Sequence, residues 1–289
     1  MNQIELKALA KINLGLDVLG RRENGYHDVR MVMQSIYLYD EVKIERTASS
    51  EIKVASNLNF LPTGDGNIAY KAAKLLKEEF HIEEGVRISL NKHIPVAAGL
   101  AGGSSNAAAV LFGMNRMFRL GLSQKDLMER GVQLGADVPY CIMRGTVLAE
   151  GIGEELSVLP AMPKCTVLIA KPPISVSTKT VYEALDSKET GTHPDIDGII
   201  DGLKAGSLKR VAACMGNVLE DVTIPIHPVI EDIKREMMEA GALNAMMSGS
   251  GPTVFGLFEN RGAAREAQRR IREKSLARQV YVTSIHSVR

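Results

Sequence analysis

Residues 95–105 read PVAAGLAGGSS, and a run of small and apolar residues, NAAAVLFGMNRMF, follows directly. Upstream, Val86, Ile88 and Leu90 alternate with polar residues, which predicts a strand that Pro95 ends. The apolar residues after the loop recur at helical spacing. A strand, a glycine loop and a helix in this order leave the first N–H groups of the helix unscreened by side chains, so an anion can approach them.

Two familiar phosphate motifs do not describe this loop. A Walker A motif requires GxxxxGK[ST], and no lysine follows Gly102 and Gly103. The GxGxxA match at residues 64–69 follows FLPT instead of a predicted strand, so we interpret it as accidental. Ser104 and Ser105 add hydroxyls that either cap the helix or reach a phosphate or its magnesium ion. The residues alone leave two interpretations, a phosphate-binding loop or a flexible loop before an alanine-rich helix.

Composition narrows the class of partner. The 289 residues suffice for two domains, and 35 basic against 34 acidic residues give a net charge of +1. A nucleic-acid or membrane-surface protein needs a large positive excess on one face, so we expect a small-molecule partner, no nucleic acid and no membrane. Three scattered cysteines without a CxxC pair, and an N-terminus without an uninterrupted apolar core, predict a cytoplasmic protein.

Alternating and helical patterns divide the chain into predicted elements. The N-terminal part begins as sheet, with a strand at 12–18 and a tight turn at Asn24-Gly25. Asn67 and Ser123 are predicted helix caps, and Asp126 completes a capping box with Ser123. The Pro- and Gly-bearing stretch GIGEELSVLPAMPK predicts a domain boundary. Beyond it we predict a strand at 165–170, mostly helix to about 240, strands at 243–248 and 253–258, a helix at 261–274 and a strand at 279–288.

The glycine loop carries a family resemblance. PVAAGLAGGSSNAAA closely resembles the P-x-x-x-G-L-[GA]-G-G-S-S-[DN]-A signature of the GHMP kinases, and the stretches AKINLGLDVLGRRENGYHDV and MMSGSGPTVFG match in order. The resemblance spans essentially the whole chain. It implies an α+β, two-domain fold, with a ribosomal-protein-S5-like nucleotide domain at residues 1–157 and a ferredoxin-like domain at 158–289. The resemblance also allows the last strand to pack on the first domain.

The resemblance also implies an activity and its cofactors. The γ-phosphoryl group of ATP would pass, with Mg²⁺, to an alcohol, and GRRENGYH is similar to the branch whose substrate is 4-diphosphocytidyl-2-C-methylerythritol. Homoserine- or mevalonate-type kinases, and a non-catalytic sensor on this fold, are the alternatives. Asn67 and Lys92 would contact adenine or ribose, although a helix cap and a solvated lysine explain them equally. The expected phosphate-binding residues are Pro95, Val96, Ala97, Ala98, Gly99, Leu100, Ala101, Gly102, Gly103, Ser104 and Ser105.

The resemblance assigns catalysis to Lys11 and Asp137. GADVP is similar to the family segment that carries the proposed base, and a Lys11 ammonium paired with Asp137 would keep the carboxylate ionised and orient the acceptor hydroxyl. We expect Pro139 to push Val138 toward extended geometry and so hold Asp137 on a stiff corner. From the residues alone, Asp137 also suits an ordinary turn after Gly135, and Lys11 suits a solvated position beside a strand.

Further residues are expected at the acceptor substrate. Asn13 lies two residues after Lys11, so both point to one face of a strand, about 7 Å apart. The resemblance places Tyr26, His27 and Tyr182 at the cytidine end, although the first two also suit a hairpin edge. Ser248 and Gly249 would lie beside the substrate phosphates, although their loop also suits a simple hairpin link.

One departure from the family pattern concerns the glycine loop. Ala97, Ala98 and Ala101 stand where relatives often have glycine, and alanine does not adopt positive φ without cost. We expect phosphate binding to survive this change. The sequence gives neither the oligomeric state nor the metal ligands.

Overall fold

The computed structural model describes residues 1–187 and 193–287. The strands are β1 (Gln3–Arg21), β2 (His27–Thr47), β3 (Ile52–Ser56), β4 (Gly85–Asn91), β5 (Thr146–Glu150), β6 (Glu155–Val158), β7 (Thr166–Lys171), β8 (Gly216–Asn217), β9 (Asn244–Met247), β10 (Val254–Phe258) and β11 (Gln279–Ser284). The helices are α1 (Ile68–Glu79), α2 (Gly102–Phe118), α3 (Gln124–Leu134), α4 (Val138–Met143), α5 (Thr178–Asp186), α6 (Ile196–Lys204), α7 (Leu208–Cys214), α8 (Glu220–Ile226), α9 (Val229–Glu239) and α10 (Arg261–Glu273).

The chain folds into two compact units that are not consecutive halves of the sequence. Unit 1 comprises Met1–Ala10, Leu38–Val96 and Ala101–Met143, and unit 2 comprises Lys11–Tyr37, Ala97–Leu100 and the described part of 144–289. Strands β1 and β2 each contribute to both units. The boundary predicted between residues 157 and 158 stays a prediction.

Unit 1 is a sheet in the order β3-β4-β2-β1, with helices α1 to α4. Strands β3 and β4 are parallel, and β4 is antiparallel to Glu41–Thr47 of β2. Helix α2 packs closely because Gly113 has no side chain, since a Cβ there would lie 2.5 Å from Ile44 Cδ1. The predicted caps are confirmed, since Asn67 accepts from the N–H of Ala69, and Ser123 forms a capping box with Asp126.

Unit 2 contains two groups of strands. In the first, β5 pairs antiparallel with Met31–Gln34 of β2 and with β6, and β8 runs parallel to β1 at Gly15 and Leu16. In the second, β11-β7-β10-β9 form an antiparallel sheet whose order, fourth-first-third-second, is that of a split βαβ fold. Every strand of that sheet was expected from the sequence, and the α+β class is confirmed.

The sequence patterns miss five short elements. Strands β3, β5, β6 and β8 and helix α4 have no predicted counterpart, and β6 lies within the stretch taken as a domain boundary. The expectation for Val138 is wrong, because Val138 begins α4 instead of being extended. Pro139 is then the second residue of the helix, where a missing N–H costs no intrahelical bond. Across the described residues, no helix is long and apolar enough to span a membrane.

Candidate active site

The start of α2, in unit 1, leaves its first N–H groups uncapped. Ala101 precedes the helix with φ 54°, and no side chain of the described residues caps it. Ser105 is buried and donates its hydroxyl to the Leu9 carbonyl over 2.7 Å, whereas Ser104 is half-buried. Of the two serines expected at the phosphate, Ser105 therefore hydrogen-bonds the first turn of α2 to β1. Free first-turn donors at the positive end of a helix dipole form an anion-binding site.

A buried cluster of Asp40, Lys92 and Asn106 holds this helix start in place. Asp40 is 0% exposed and accepts the backbone N–H groups of His93 and Ile94 over 2.7 and 2.8 Å. The Lys92 ammonium pairs with Asp40 and donates to Asn106 Oδ1 over 2.7 Å, and Asn106 Nδ2 donates to Asp40 over 2.9 Å. Lys92 is thus buried rather than solvated. Its contact with the nucleotide stays a prediction.

In unit 2, the segment 97–100 touches the loop 248–251 through backbone atoms. Ser248, which is buried, donates its hydroxyl to the Gly99 carbonyl over 3.0 Å. Gly99 has φ +71°, and a Cβ there would lie 2.0 Å from the Ser248 carbonyl oxygen. The N–H of Lys11 donates to the Leu100 carbonyl over 3.2 Å. Gly99 is therefore required both by its conformation and by the closeness of the second loop.

Lys11 and Asn13 lie side by side on β1, as their spacing predicts. The Lys11 side chain is buried, with a residue exposure of 5%, and its Nζ donates to Asn13 Oδ1 over 2.7 Å. Asn13 Nδ2 lies 3.4 Å from Met31 Sδ. A Cβ built on Gly249 would lie 3.6 Å from Lys11 Nζ. The buried ammonium and the Gly249 backbone are therefore neighbours within unit 2.

The loop 248–251 is anchored by two residues that the sequence did not single out. Asn217 donates from Nδ2 to the carbonyls of Met247 and Gly249 over 2.9 and 2.8 Å. Glu220 Oε1 accepts the N–H of Met247 over 2.6 Å, and Glu220 Oε2 pairs with Lys234 at 2.8 Å. Burial raises the pKa of Glu220, and Lys234 opposes that rise only in part. Together these bonds fix the backbone that lies beside Lys11.

Asp137, in unit 1, immediately precedes α4. Its carbonyl accepts the N–H of Cys141 over 3.0 Å, which closes the first turn of the helix, and its side chain belongs to a half-buried residue. A helical start at Val138 replaces the extended corner that the sequence predicted. The functional pairing of Asp137 with Lys11 stays a prediction.

A ring pair in unit 2 brings together two residues expected at the acceptor substrate. The rings of His27 and Tyr182 have centroids 4.8 Å apart and are tilted by 42°. His27 Nε2 lies 2.7 Å from Asp186 Oδ1, and the His27 side chain is 9% exposed. Tyr26, by contrast, is 59% exposed. Asn67, in unit 1, uses its Oδ1 as a helix cap and its Nδ2 to donate to the Pro62 carbonyl.

Comparisons with known proteins place the chain in a family. The model of the GHMP kinases N terminal domain matches residues 67–145, and the model of the GHMP kinases C terminal domain matches residues 199–275. A 4-diphosphocytidyl-2-C-methyl-D-erythritol kinase from Lachnospira eligens is 59% identical over 283 residues, 98% of each chain. The chain belongs to the GHMP kinase family. A second kinase of the same name, from Lachnoclostridium phytofermentans, is 54% identical over 98% of this chain and 97% of its own.

A solved GHMP kinase has the same fold. The crystal structure of a 4-(cytidine 5'-diphospho)-2C-methyl-D-erythritol kinase superposes with a TM-score of 0.84 at 32% identity, covering 99% of this chain and 100% of the other. The two-domain GHMP kinase fold expected from the glycine loop is therefore confirmed.

Sequence reasoning on this GHMP kinase missed the groups that support its loops. Asp40, Asn217, Glu220 and Asp186 each bond to residues 27 to 159 positions away in the chain. No local motif marks them. Asp40 lies on the same face of its strand as the apolar residues Leu38 and Val42, and a polar residue at such a position is the signal that would have pointed to a buried polar contact.

Proposed function

We propose that this GHMP kinase transfers the γ-phosphoryl group of ATP to the 2-hydroxyl of 4-diphosphocytidyl-2-C-methyl-D-erythritol, in the non-mevalonate isoprenoid pathway of the cytoplasm. The observation that carries the proposal is the uncapped start of α2 at Gly102, reached through a loop of small residues. Its N–H groups and helix dipole suit the triphosphate of ATP. The acceptor is inferred from the names of relatives that are 59% and 54% identical.

Lys11 and Asp137 are the proposed catalytic residues. Phosphoryl transfer requires an aligned hydroxyl, a group that takes its proton, and positive charge near the moving phosphoryl group. An ammonium has three donors, and the bond to Asn13 Oδ1 uses one. A buried ammonium with further donors suits a phosphate or hydroxyl oxygen of the substrate. The carboxylate of Asp137 would accept the proton of the 2-hydroxyl.

A magnesium ion is proposed to accompany the nucleotide. Mg²⁺ keeps several waters and usually binds through substrate phosphates and one or two protein oxygens, so a dedicated protein cage is not needed. Within residues 1–187 and 193–287, no group of three or more His, Cys, Asp or Glu side chains is placed to hold a metal ion. The Ser104 hydroxyl, in the first turn of α2, is the candidate protein oxygen. The ion would neutralise charge on the phosphates.

The ring pair of His27 and Tyr182 is the proposed cytidine site. An aromatic ring can stack on a pyrimidine, and an imidazole can hydrogen-bond to its edge. Tyr26 adds an exposed ring next in sequence to His27. Ser248 and Gly249 are proposed to face the diphosphate of the same substrate, and Asn13 its sugar alcohol.

An ADP-release assay tests the proposal with three acceptors. We expect turnover of 4-diphosphocytidyl-2-C-methyl-D-erythritol and not of mevalonate or homoserine. Lys11→Met and Asp137→Asn should each lower kcat by about 10²-fold or more, the range of a lost proton-transfer or charge-stabilising group. Lys53→Met is the control, because Lys53 is exposed and pairs only with Glu51 among its described contacts. If the protein releases no ADP with any of the three acceptors, the proposed kinase activity is refuted. If a folded Lys11→Met variant keeps the wild-type kcat, the catalytic role of Lys11 is refuted.

A further inference from the structure

Asp186 contacts His27 of the His27–Tyr182 ring pair, and the proposed reaction gives this carboxylate no role. It is the last residue of α5, four residues after Tyr182, so both side chains lie on one face of the helix. That face meets His27, whose ring lies 4.8 Å from the Tyr182 ring and whose Nε2 lies 2.7 Å from Asp186 Oδ1. The second carboxylate oxygen, Oδ2, lies 3.3 Å from Arg21 Nη1. One helix face therefore fixes both the plane and the edge of the imidazole.

The contact with Asp186 determines which ring nitrogen of His27 carries a proton. An ionised carboxylate only accepts hydrogen bonds, so the 2.7 Å contact requires a proton on Nε2. In a neutral imidazole the other nitrogen, Nδ1, then presents a lone pair. The His27 side chain is largely buried, which limits the ring's freedom to turn. The ring therefore offers a hydrogen-bond acceptor at a fixed position.

We propose that Asp186 is a positioning residue that makes His27 Nδ1 an acceptor and thereby selects cytosine over uracil. The inference rests on the proposed function, since it concerns the base of the acceptor substrate. Cytosine carries an amino group at C4, which donates, whereas uracil carries a carbonyl there, which only accepts. A lone pair on His27 Nδ1 accepts a hydrogen bond from the amino group of cytosine. The same lone pair would face the carbonyl of uracil, which has no hydrogen to donate. Sites built around such a bond discriminate strongly, because the wrong ligand leaves buried polar groups unpaired.

The first experiment compares two acceptors that differ only in the base. We measure kcat/KM for the cytidine substrate and its uridine counterpart at about pH 8, where imidazoles are neutral. The wild-type enzyme should prefer cytidine by about 10²-fold or more. Asp186→Asn should lower that ratio about tenfold, chiefly through a higher KM for cytidine, because an amide both donates and accepts and so permits either imidazole tautomer.

Arg21→Gln is the matched control. It removes the other charged partner of Asp186 and leaves the carboxylate at His27, so the cytidine-to-uridine ratio should stay at the wild-type value. An Asp186→Asn enzyme that is folded, active and unchanged in this ratio overturns the inference. Turnover of neither substrate by the wild-type enzyme overturns the proposed function instead, and the base selection with it.

A second measurement needs no substrate. Long-range ¹H–¹⁵N spectra of the full-length protein, labelled at histidine, report which ring nitrogen carries the proton, and His27→Gln assigns the signal. We expect the Nε2–H form in the wild-type protein and a mixture of tautomers in Asp186→Asn. A predominant Nδ1–H form in the wild-type protein overturns the role of Asp186, whatever the substrate proves to be.

Discussion

The carbonyl oxygen of Ser248 lies 2.0 Å from the point that a Cβ would occupy at Gly99. The contact joins the middle of the glycine loop to the loop that lies beside Lys11, within unit 2. Ser248 reinforces it by donating its hydroxyl to the Gly99 carbonyl. A single side-chain carbon at Gly99 would therefore separate two segments that are both proposed to face substrate phosphates.

Gly99→Ala should destabilise the protein and impair catalysis. The new Cβ requires positive φ in a non-glycine residue and also forces the Ser248 backbone to move, which together cost about 2–4 kcal/mol. We expect kcat to fall more than about tenfold as the loops separate. Gly64→Ala is the control, since nothing lies within 4 Å of a Cβ at Gly64. Thermal unfolding and steady-state kinetics measure both effects, and equal stability of the two variants would contradict the packing described.

The alanines of the glycine loop lead to an opposite prediction. Ala97 and Ala101 adopt φ of 49° and 54°, so the conformation that alanine disfavours is present at both positions. A left-handed residue costs about 1–2 kcal/mol, and glycine recovers this at an entropic cost of about 0.4–1 kcal/mol. We expect Ala97→Gly and Ala101→Gly to be neutral or to stabilise by up to about 1 kcal/mol.

Ala107→Gly makes the same chemical change inside α2, where it should destabilise by about 1 kcal/mol. The stabilities of the three variants are compared through the midpoints of their urea unfolding curves. If Ala101→Gly loses as much stability as Ala107→Gly, the left-handed conformation at Ala101 is not strained.

Asp40→Asn should show the cost of an uncompensated buried ammonium. Asp40 is 0% exposed and pairs with Lys92, so removal of its charge should destabilise by about 3–5 kcal/mol. Because the cluster holds the first turns of α2, we also expect a higher KM for ATP. Asp65→Asn, which breaks an exposed pair with Lys74, should change stability by less than about 0.5 kcal/mol.

A double variant separates charge from shape in this cluster. Lys92→Met combined with Asp40→Asn removes both charges, so it should recover part of the stability lost in Asp40→Asn alone. No recovery in urea unfolding would mean that the hydrogen bonds to His93 and Ile94 account for the loss.

Glu220→Gln should change the pH dependence of stability. Burial raises the pKa of Glu220 above its ordinary value of 4.5, so the folded state binds this proton more tightly than the unfolded state. The contribution to stability is fully present below pH 4.5 and declines as pH rises through the folded pKa. The difference in free energy of unfolding, wild type minus variant, should therefore fall as pH rises above 4.5. A difference that grows with pH in urea titrations would contradict the direction of this shift.

Local signals predicted the parts of the fold that depend on near neighbours. The caps at Asn67 and Ser123, the strand before the glycine loop and the hairpin around residues 248–253 all follow from residues a few positions apart. The family signature then supplied the class and the candidate phosphate loop. Strand β6 was not predicted because it lies among Pro and Gly residues, and its pairing with β5 is not visible in the local sequence.

The residues that support the candidate site were not predicted from the sequence, for a different reason. Asp40 bonds to residues about fifty positions away, and Asp186 meets His27 across 159 positions. Nothing near these residues in the sequence marks the partner, because the contact exists only once the sheet and helices have assembled. The left-handed conformations of Ala97 and Ala101 were likewise hidden, since alanine favours other angles and the surrounding loop imposes these.

Strands β1 and β2 run through both units, and this restricts how the chain can be recombined with a relative. Residues Met31–Gln34 pair with β5, Gly15 and Leu16 pair with β8, and Ile36 bridges to Ile285. A chimera that replaced everything after residue 143 would match new strands to old partners at residues 11–37. Swapping that early segment together with the later one keeps the donor's own pairings in these strands, so the crossover needs three junctions, before residue 11, after residue 37 and after residue 143, instead of one.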